Sequence, residues 1–364
     1  MRIRYHNTLK ENMYPLTILE SPLDLLVGLY SLREKINVVC PFDVYWVGKE
    51  SEEFDLEMFG LWSLPKKGWE VFLDMEDNSS LWSNEVCLAK RGSGEERMEV
   101  KDALVYERPW HLFQYAGKAI NYDLQWKAFK SRPVPETNIE AGQHGVWCKN
   151  DYKAIACVFN TTNGPIVIDE GVEIMEGSTL RGPIYLGKNA QVKMGAKIYG
   201  PSVFGEECRV GGEVSNSVFQ PFSNKGHDGF LGNSAIGRWC NLGADTNSSN
   251  LKNNYSKVAV HSYTTQTMEK TDLQFCGLLM GDHSKTGINT MLNTATSVGC
   301  FSNLFGADFP EKHIRSFAWG SNQTDFELDK AFDMADAMME RRDERLSEWE
   351  REKIRKAFNN RHQL

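Results

Sequence analysis

The chain has 364 residues and a formal net charge of −8, enough length for two domains or for one domain with appendages. The acidic balance excludes a general nucleic-acid or anionic-membrane binder, whose partners demand excess Lys and Arg, and no apolar run is long enough to span a bilayer. Eight cysteines at 40, 87, 148, 157, 208, 240, 276 and 300 form no CxxC pair, which excludes a zinc ribbon or thioredoxin-type centre.

The opening residues, "MRIRYHNTLKENMYPLT", lack the apolar core of a secretion signal, so a cytoplasmic protein with reduced thiols is expected. Residues 1 to about 140 carry no repeat. "NVVCPFDVYWVG" reads as strand and "WHLFQYAGKAINYDLQWKAF" as helix, which together predict a mixed α/β region. "KSRPVPETNIEAGQHG" reads as a polar linker.

A strict period of six follows. Ile168, Ile174, Leu180, Leu186, Val192, Ile198, Phe204 and Val210 are all apolar, and Ser178, Ala190, Ala196, Ser202 and Cys208 sit two residues before five of them. A helix repeats at 3.6 residues and an ordinary strand at two. Six fits a coil of three short strands, with the aliphatic inside and the small residue at the corner. This is the hexapeptide pattern of a parallel β-helix, and the repeat length predicts a left-handed one. The pattern slips near Asn216, resumes at Phe230, Ile236 and Leu242, and resumes again at Met280, Leu292, Val298 and Leu304. "NLKNNYSKVAVHSYTTQTMEKTD" breaks it and reads either as a functional excursion or as surface cover.

The tail "TDFELDKAFDMADAMMERRDERLSEWEREKIRKAF" reads as helical. Thr324 with Glu327 suggests a capping box, Leu328, Phe332, Ala335 and Met339 an apolar face, and "ERRDERLSEWEREK" a solvated face. Three regions are expected: 1–140 α/β, 141–318 β-helix, and 319–364 helical.

The densest polar stretch is "SNKGHDGFLGNSAIGRWCNLGADTNSSN". His227 lies at the slip between Gly226 and Gly229, where a neutral imidazole can take a proton from an attacking amine or hydroxyl. Asp228 or Glu213 could orient it. Asn224, Asn241, Asn247 and Asn250 could donate to sugar hydroxyls or a developing oxyanion, and Lys225 could neutralise a phosphate. Asn also tolerates left-handed corner geometry, so turn formation competes with each of these roles. His283, beside Asp282 and Lys285, is a second candidate base.

The motifs "NKGH", "FLG", "NLGADT" and "SSN" resemble the acetyltransferase half of the GlmU family. "GAKIYG", "VGGEVSNSV", "LQFCGLLMGDHSKTGINTM" and "SFAWG", with "YPLTILESPLDLLVGLYSLREK" near the start, resemble the GlmU-related sugar nucleotidyltransferases of Bacteroidetes type. The resemblance implies a nucleotidyltransferase-like α/β domain, a left-handed β-helix domain and a helical tail, assembled as a homotrimer. It implies acetyl-CoA or another acyl-CoA as donor and an amino sugar, its phosphate or its nucleotide as acceptor. His227 matches the general base. Asn216, Asn224, Lys225 and Asn241 fall on the substrate side, and Asn247 and Asn250 on the acyl-CoA side. The family carboxylate falls on Glu213 or Ser215, depending on how the slip is counted.

Two departures stand out. Phe230 replaces a family tyrosine, and Ser215 and Asn216 replace a basic pair that holds sugar phosphate, which favours a nucleotide-linked acceptor. Of the nucleotidyl-transfer signature only Pro15, Leu16 and Thr17 and then Arg33, Glu34 and Lys35 remain. Mg²⁺ is implied only if that activity persists; no metal is needed for acyl transfer. A sugar-1-phosphate nucleotidyltransferase acting through the N-terminal domain is the second reading, and a trimeric sugar-nucleotide-binding scaffold without catalysis is the third.

Overall fold

A computed structural model describes residues 1–8, 10–47, 53–126 and 128–364. The N-terminal region holds a six-stranded mixed sheet, in which Arg2–His6 pairs in parallel with Tyr45–Val47 on one side and Leu56–Phe59 on the other. Three helices accompany it: α1 (Leu32–Val39), α2 (Lys66–Leu73) and α3 (His111–Leu124). The expected strand across "NVVCPFDVYWVG" is therefore corrected. Its first residues end α1, and of its described residues only Tyr45–Val47 form a strand. The helix is set by a capping box: Glu34 N–H donates to Ser31 Oγ at 3.3 Å and Ser31 N–H donates to Glu34 Oε2 at 2.7 Å.

From Ile139 onward the chain winds into a three-sided parallel coil; its sheets have ten, eight and ten strands, counting Lys130–Ser131 and Thr324–Asp325, which add antiparallel at an edge of the first and the third. Rungs stack in register, as in Ile166↔Ile184↔Ser202. The lumen is filled by the hexad aliphatics, with Ile174, Leu180, Leu186, Val192, Ile198, Phe204 and Val210 all buried. After the slip Ile236 and Leu242 fill the lumen as expected, and Phe230 alone is one residue out of phase. The lumen positions are Val214, Phe219, Lys225, Leu231, Ile236 and Leu242, so Leu231 points inward and Phe230 is a half-buried outward residue. The turns shorten to four and five residues across the slip, which a fixed period of six cannot track.

The first face of the coil is covered on its outside. Val167, Tyr185, Val203, Val218, Ala235 and Leu279 point away from the lumen yet are buried in one core with the N-terminal region. This explains why its strands read as unbroken apolar runs such as "IVI" and "IYL". Helix α3 lies on this face, and Gly117 lets it approach: a Cβ there would stand 3.2 Å from Pro201 and 3.4 Å from Pro183. The excursion is a hairpin, Ala259–Ser262 with Thr267–Lys270, whose Val258 and Val260 join the same core. It has a packing role.

The second face is largely open, with Thr179, Arg181, Lys197 and Tyr199 exposed. The third face meets the tail helices α4 (Leu328–Met339) and α5 (Glu348–Asn359). As expected, Phe332, Ala335 and Met339 are buried. The capping box at Thr324 is corrected: Thr324 belongs to the last strand pair, its hydroxyl donates to Trp319 O at 3.0 Å, and α4 starts at Leu328. The tail's capping box is Ser347 with Glu350, opening α5. Both helices pack on one corner of the coil, where Phe222, Trp239, His283, Phe301 and Phe317 recur at φ 55–66°. Their rings stack in succession, 4.2 Å apart for Phe222–Trp239, 4.5 Å for His283–Phe301 and 5.2 Å for Phe301–Phe317. Face-to-face stacking and burial offset the cost of left-handed backbone at non-glycine residues.

Candidate functional site

A cleft of about 600 Å³ opens between the third face and α4, within the size range of ligand sites. Its floor is a ladder of outward side chains on successive rungs, Arg209↔Asn224↔Asn241↔Lys285, repeating at about 4.8 Å, the strand spacing. Phe222 and Trp239 form one wall, Gly226, exposed His227 and Lys193 line the rim, and Ala337, Met338, Arg341 and Arg342 form the roof. The roof is tied to the coil by Arg342, whose Nε lies 3.1 Å from Glu207 Oε2.

The electrostatics of this cleft are one-sided. Burial, then Arg209 and Arg342 nearby, hold Lys193 below its usual pKa. Burial, then Arg342, hold Arg209 below its own. Burial pushes Lys285 down to about 8. Arg209 Nε and Asn224 Oδ1 are buried without a hydrogen-bond partner.

Three of the sequence candidates, His227, Asn224 and Asn241, come together here. The others do not line the cleft. Lys225 is corrected most sharply: it points into the lumen, fully buried, and its ammonium donates to the carbonyls of His227 at 2.5 Å and Asp228 at 3.0 Å. It shapes the turn that carries His227 and cannot reach a phosphate in the cleft. Glu213 and Ser215 lie on the second face, Asp228 is exposed, and neither Glu213 nor Asp228 bonds to the imidazole among the described residues. Asn216 turns the corner at φ 45°, and its amide nitrogen, in the orientation that satisfies both ends, donates to Phe113 O at 2.9 Å. Asn247 Oδ1 accepts from Phe230 N–H at 2.8 Å, and Asn250 Nδ2 donates to Asn233 Oδ1 at 2.8 Å. These asparagines serve the turns of the coil. His283 is buried in the corner stack, held neutral by burial, with Nδ1 unpartnered.

The residues that sequence reasoning missed are the cations. Lys193, Arg209, Arg341 and Arg342 come from rungs and a tail that no motif links, and "ERRDER" had read as a solvated face. Arg342 is in fact largely buried, with 11% of its side chain exposed.

The N-terminal triplet of Arg33, Glu34 and Lys35 has structural partners. Arg33 Nε lies 2.5 Å from Asp24. Lys35 is fully buried, bonded to Val27 O at 2.6 Å, Ser63 Oγ at 2.9 Å and Asp123 at 3.0 Å. A second cavity of about 660 Å³ lies beside this segment. It holds two internal ion pairs, Arg33 with Asp24 and Lys149 with Asp169 at 3.3 Å, and its lining mixes carboxylates with cations, unlike that of the first cleft. No group of His, Cys, Asp and Glu among the described residues could hold a metal ion, and none of the described helices is long and apolar enough to cross a membrane.

No family profile and no curated relative matches this chain. Among solved structures it is similar to LpxA, a UDP-N-acetylglucosamine acyltransferase from Bacteroides fragilis 9343, at 12% identity over 51% of this chain and 70% of that chain, with a TM-score of 0.26. The parallel coil described above rests on this chain's own strand register.

Proposed function

We propose that the chain is an acyl-CoA-dependent transferase acting on an amino sugar or its nucleotide, with His227 as general base. The observation that supports this most is the placement of an exposed imidazole on the rim of a cleft floored by Asn224, Asn241 and Lys285. The acceptor amine attacks the thioester carbonyl while the imidazole takes the amine proton. The oxyanion of the tetrahedral intermediate accepts hydrogen bonds from the amide nitrogens of Asn224 or Asn241. The intermediate collapses, the C–S bond breaks, and the imidazolium returns its proton to the departing thiolate, which leaves as free CoA.

The coil is taken as left-handed on its six-residue repeat, and the assembly as a trimer. Exposed apolar side chains support self-association: Ile155 at 55%, Met194 at 70% and Ile288 at 73% exposure, with Tyr199 and Met291 on the open second face.

Mass spectrometry of amino-sugar acceptors incubated with acetyl-CoA tests the reading. An acetyl group on the sugar nitrogen, absent with His227→Ala, is the expected result. An unmodified acceptor across amino sugars, their phosphates and their nucleotides would overturn it.

A further inference from the structure

The proposed reaction requires a base and an oxyanion site, but it does not require the cations that crowd the cleft. Lys193 and Arg209 stand on the coil side, and Arg341 and Arg342 face them from the roof. Among the described residues Glu207 is the one carboxylate in an ion pair with the set, through Arg342. Like charges held together under a roof repel one another, and Lys193, Arg209 and Arg342 also lose hydration on partial burial. Such an arrangement is favourable when a polyanion fills it. Two further features point the same way. Arg209 Nε is buried with no acceptor, and a guanidinium left unsatisfied costs more than a neutral group. The beginning of the run "ERRDER", which a surface helix would leave in solvent, instead turns in to close the cleft.

We propose that this cleft binds a diphosphate group, clamped between Arg209 and Lys193 on the coil and Arg341 and Arg342 on the tail. The proposal rests on the acyl-transfer reading only for its biological setting; the site itself stands on the cations. The four clamp cations and Lys285 on the floor, less the paired Glu207, leave four positive charges, enough to neutralise the two or three negative charges of a diphosphate ester. Arginine suits the role because its fork meets two phosphate oxygens at once. Phe222, Trp239 and Met338 give the adjoining apolar surface for a base or pantetheine arm. A diphosphate occurs in both a nucleotide sugar and coenzyme A, so the acceptor and the donor are its two possible sources. The tail then completes the site from within the same chain.

The test is calorimetric titration of the full chain with UDP, with coenzyme A and with uncharged N-acetylglucosamine, at low and high salt. Wild type is expected to bind at least one diphosphate, less tightly as salt rises, and the uncharged sugar weakly or not at all. Arg209→Gln and Arg341→Gln should each weaken diphosphate binding about ten- to hundredfold. Lys188→Gln, a cation of the other cavity, should not change it. Binding of UDP alone assigns the site to the acceptor; binding of coenzyme A alone assigns it to the donor. Unchanged affinity in both arginine variants, or no diphosphate binding in wild type, overturns the proposal. His227-dependent acylation of a nucleotide amino sugar by acetyl-CoA that both variants retain at the wild-type rate under subsaturating substrates would overturn the diphosphate site and leave acyl transfer standing. Arginine-dependent diphosphate binding without acylation of any acceptor would do the reverse.

Discussion

Replacing Lys225 with methionine tests whether an ammonium sits in the lumen of the coil. Lys225 occupies the inward position between Val210 and Leu242 on adjacent rungs, and desolvation lowers its pKa from 10.5 to about 8, against the pull of Asp228 and Asp245. At about 1.4 kcal/mol per pKa unit, that fall means the protonated form costs the fold about 3 kcal/mol. The folded chain holds this proton less tightly than the unfolded chain. Stability therefore rises with pH between about 8 and 10.5, and the full cost is present below 8. Methionine removes that cost but leaves the His227 carbonyl without its lysine partner, a loss of about 1–3 kcal/mol. The two nearly cancel at pH 7, so Lys225→Met should lie within about 2 kcal/mol of wild type there. Urea unfolding from pH 7 to pH 10 separates them, because wild type gains about 2–3 kcal/mol relative to the variant across that range. The variant should also lose turnover, because the turn bearing His227 loses its tether. Parallel stability curves for the two proteins would refute the placement of Lys225 and the reasoning built on it.

Other outcomes follow from single contacts. Asp123→Ala leaves the buried Lys35 ammonium without its carboxylate partner and should cost about 3–5 kcal/mol by urea denaturation, while Lys35→Met with Asp123→Leu should recover much of it. Gly229→Ala places a Cβ 2.3 Å from Thr246 O at φ 111° and should cost about 1–3 kcal/mol in the same assay, with a larger loss of turnover than of stability. Lys285 has its pKa lowered to about 8 by burial, so its positive charge is complete only below that value. Diphosphate affinity measured by calorimetry should weaken as pH rises through about 8, and Lys285→Met should flatten that profile.

The coil was legible because its lumen admits one class of side chain at fixed spacing, so Ile168 to Val210 print their geometry on the sequence. Legibility failed where the turns shorten. Val210 to Val214 to Phe219 changes the period, and Lys225 then breaks the apolar signature while staying inside. The slip hid the true phase at Leu231 and made Lys225 look like a surface cation. Local signals misled at both ends. "NVV" is too short for periodicity to separate helix from strand, although the Ser31–Glu34 capping box beside it was readable. The same type of signal at Thr324 was false, because a local strand pair places it opposite Trp319, whose carbonyl takes its hydroxyl, and true at Ser347.

Of the candidate site, His227, Asn224 and Asn241 were visible because one motif holds them. The cations were not, because Lys193 and Arg209 lie on neighbouring rungs and Arg341 and Arg342 lie more than a hundred residues away along the chain. Only the folded tail brings them over the ladder. The N-terminal triplet at Arg33–Lys35 matched a nucleotide-binding pattern in sequence, yet burial and pairing account for its two basic side chains.

The most direct measurement is the rate of free-thiol release from acetyl-CoA with amino sugars, amino-sugar phosphates and nucleotide amino sugars, for wild type and for His227→Ala. The account predicts acceptor-dependent release in wild type, highest with the nucleotide-linked acceptors, and its loss in a variant that still unfolds at the wild-type urea midpoint. Release at the same rate from both proteins, or no release with any acceptor, would contradict it.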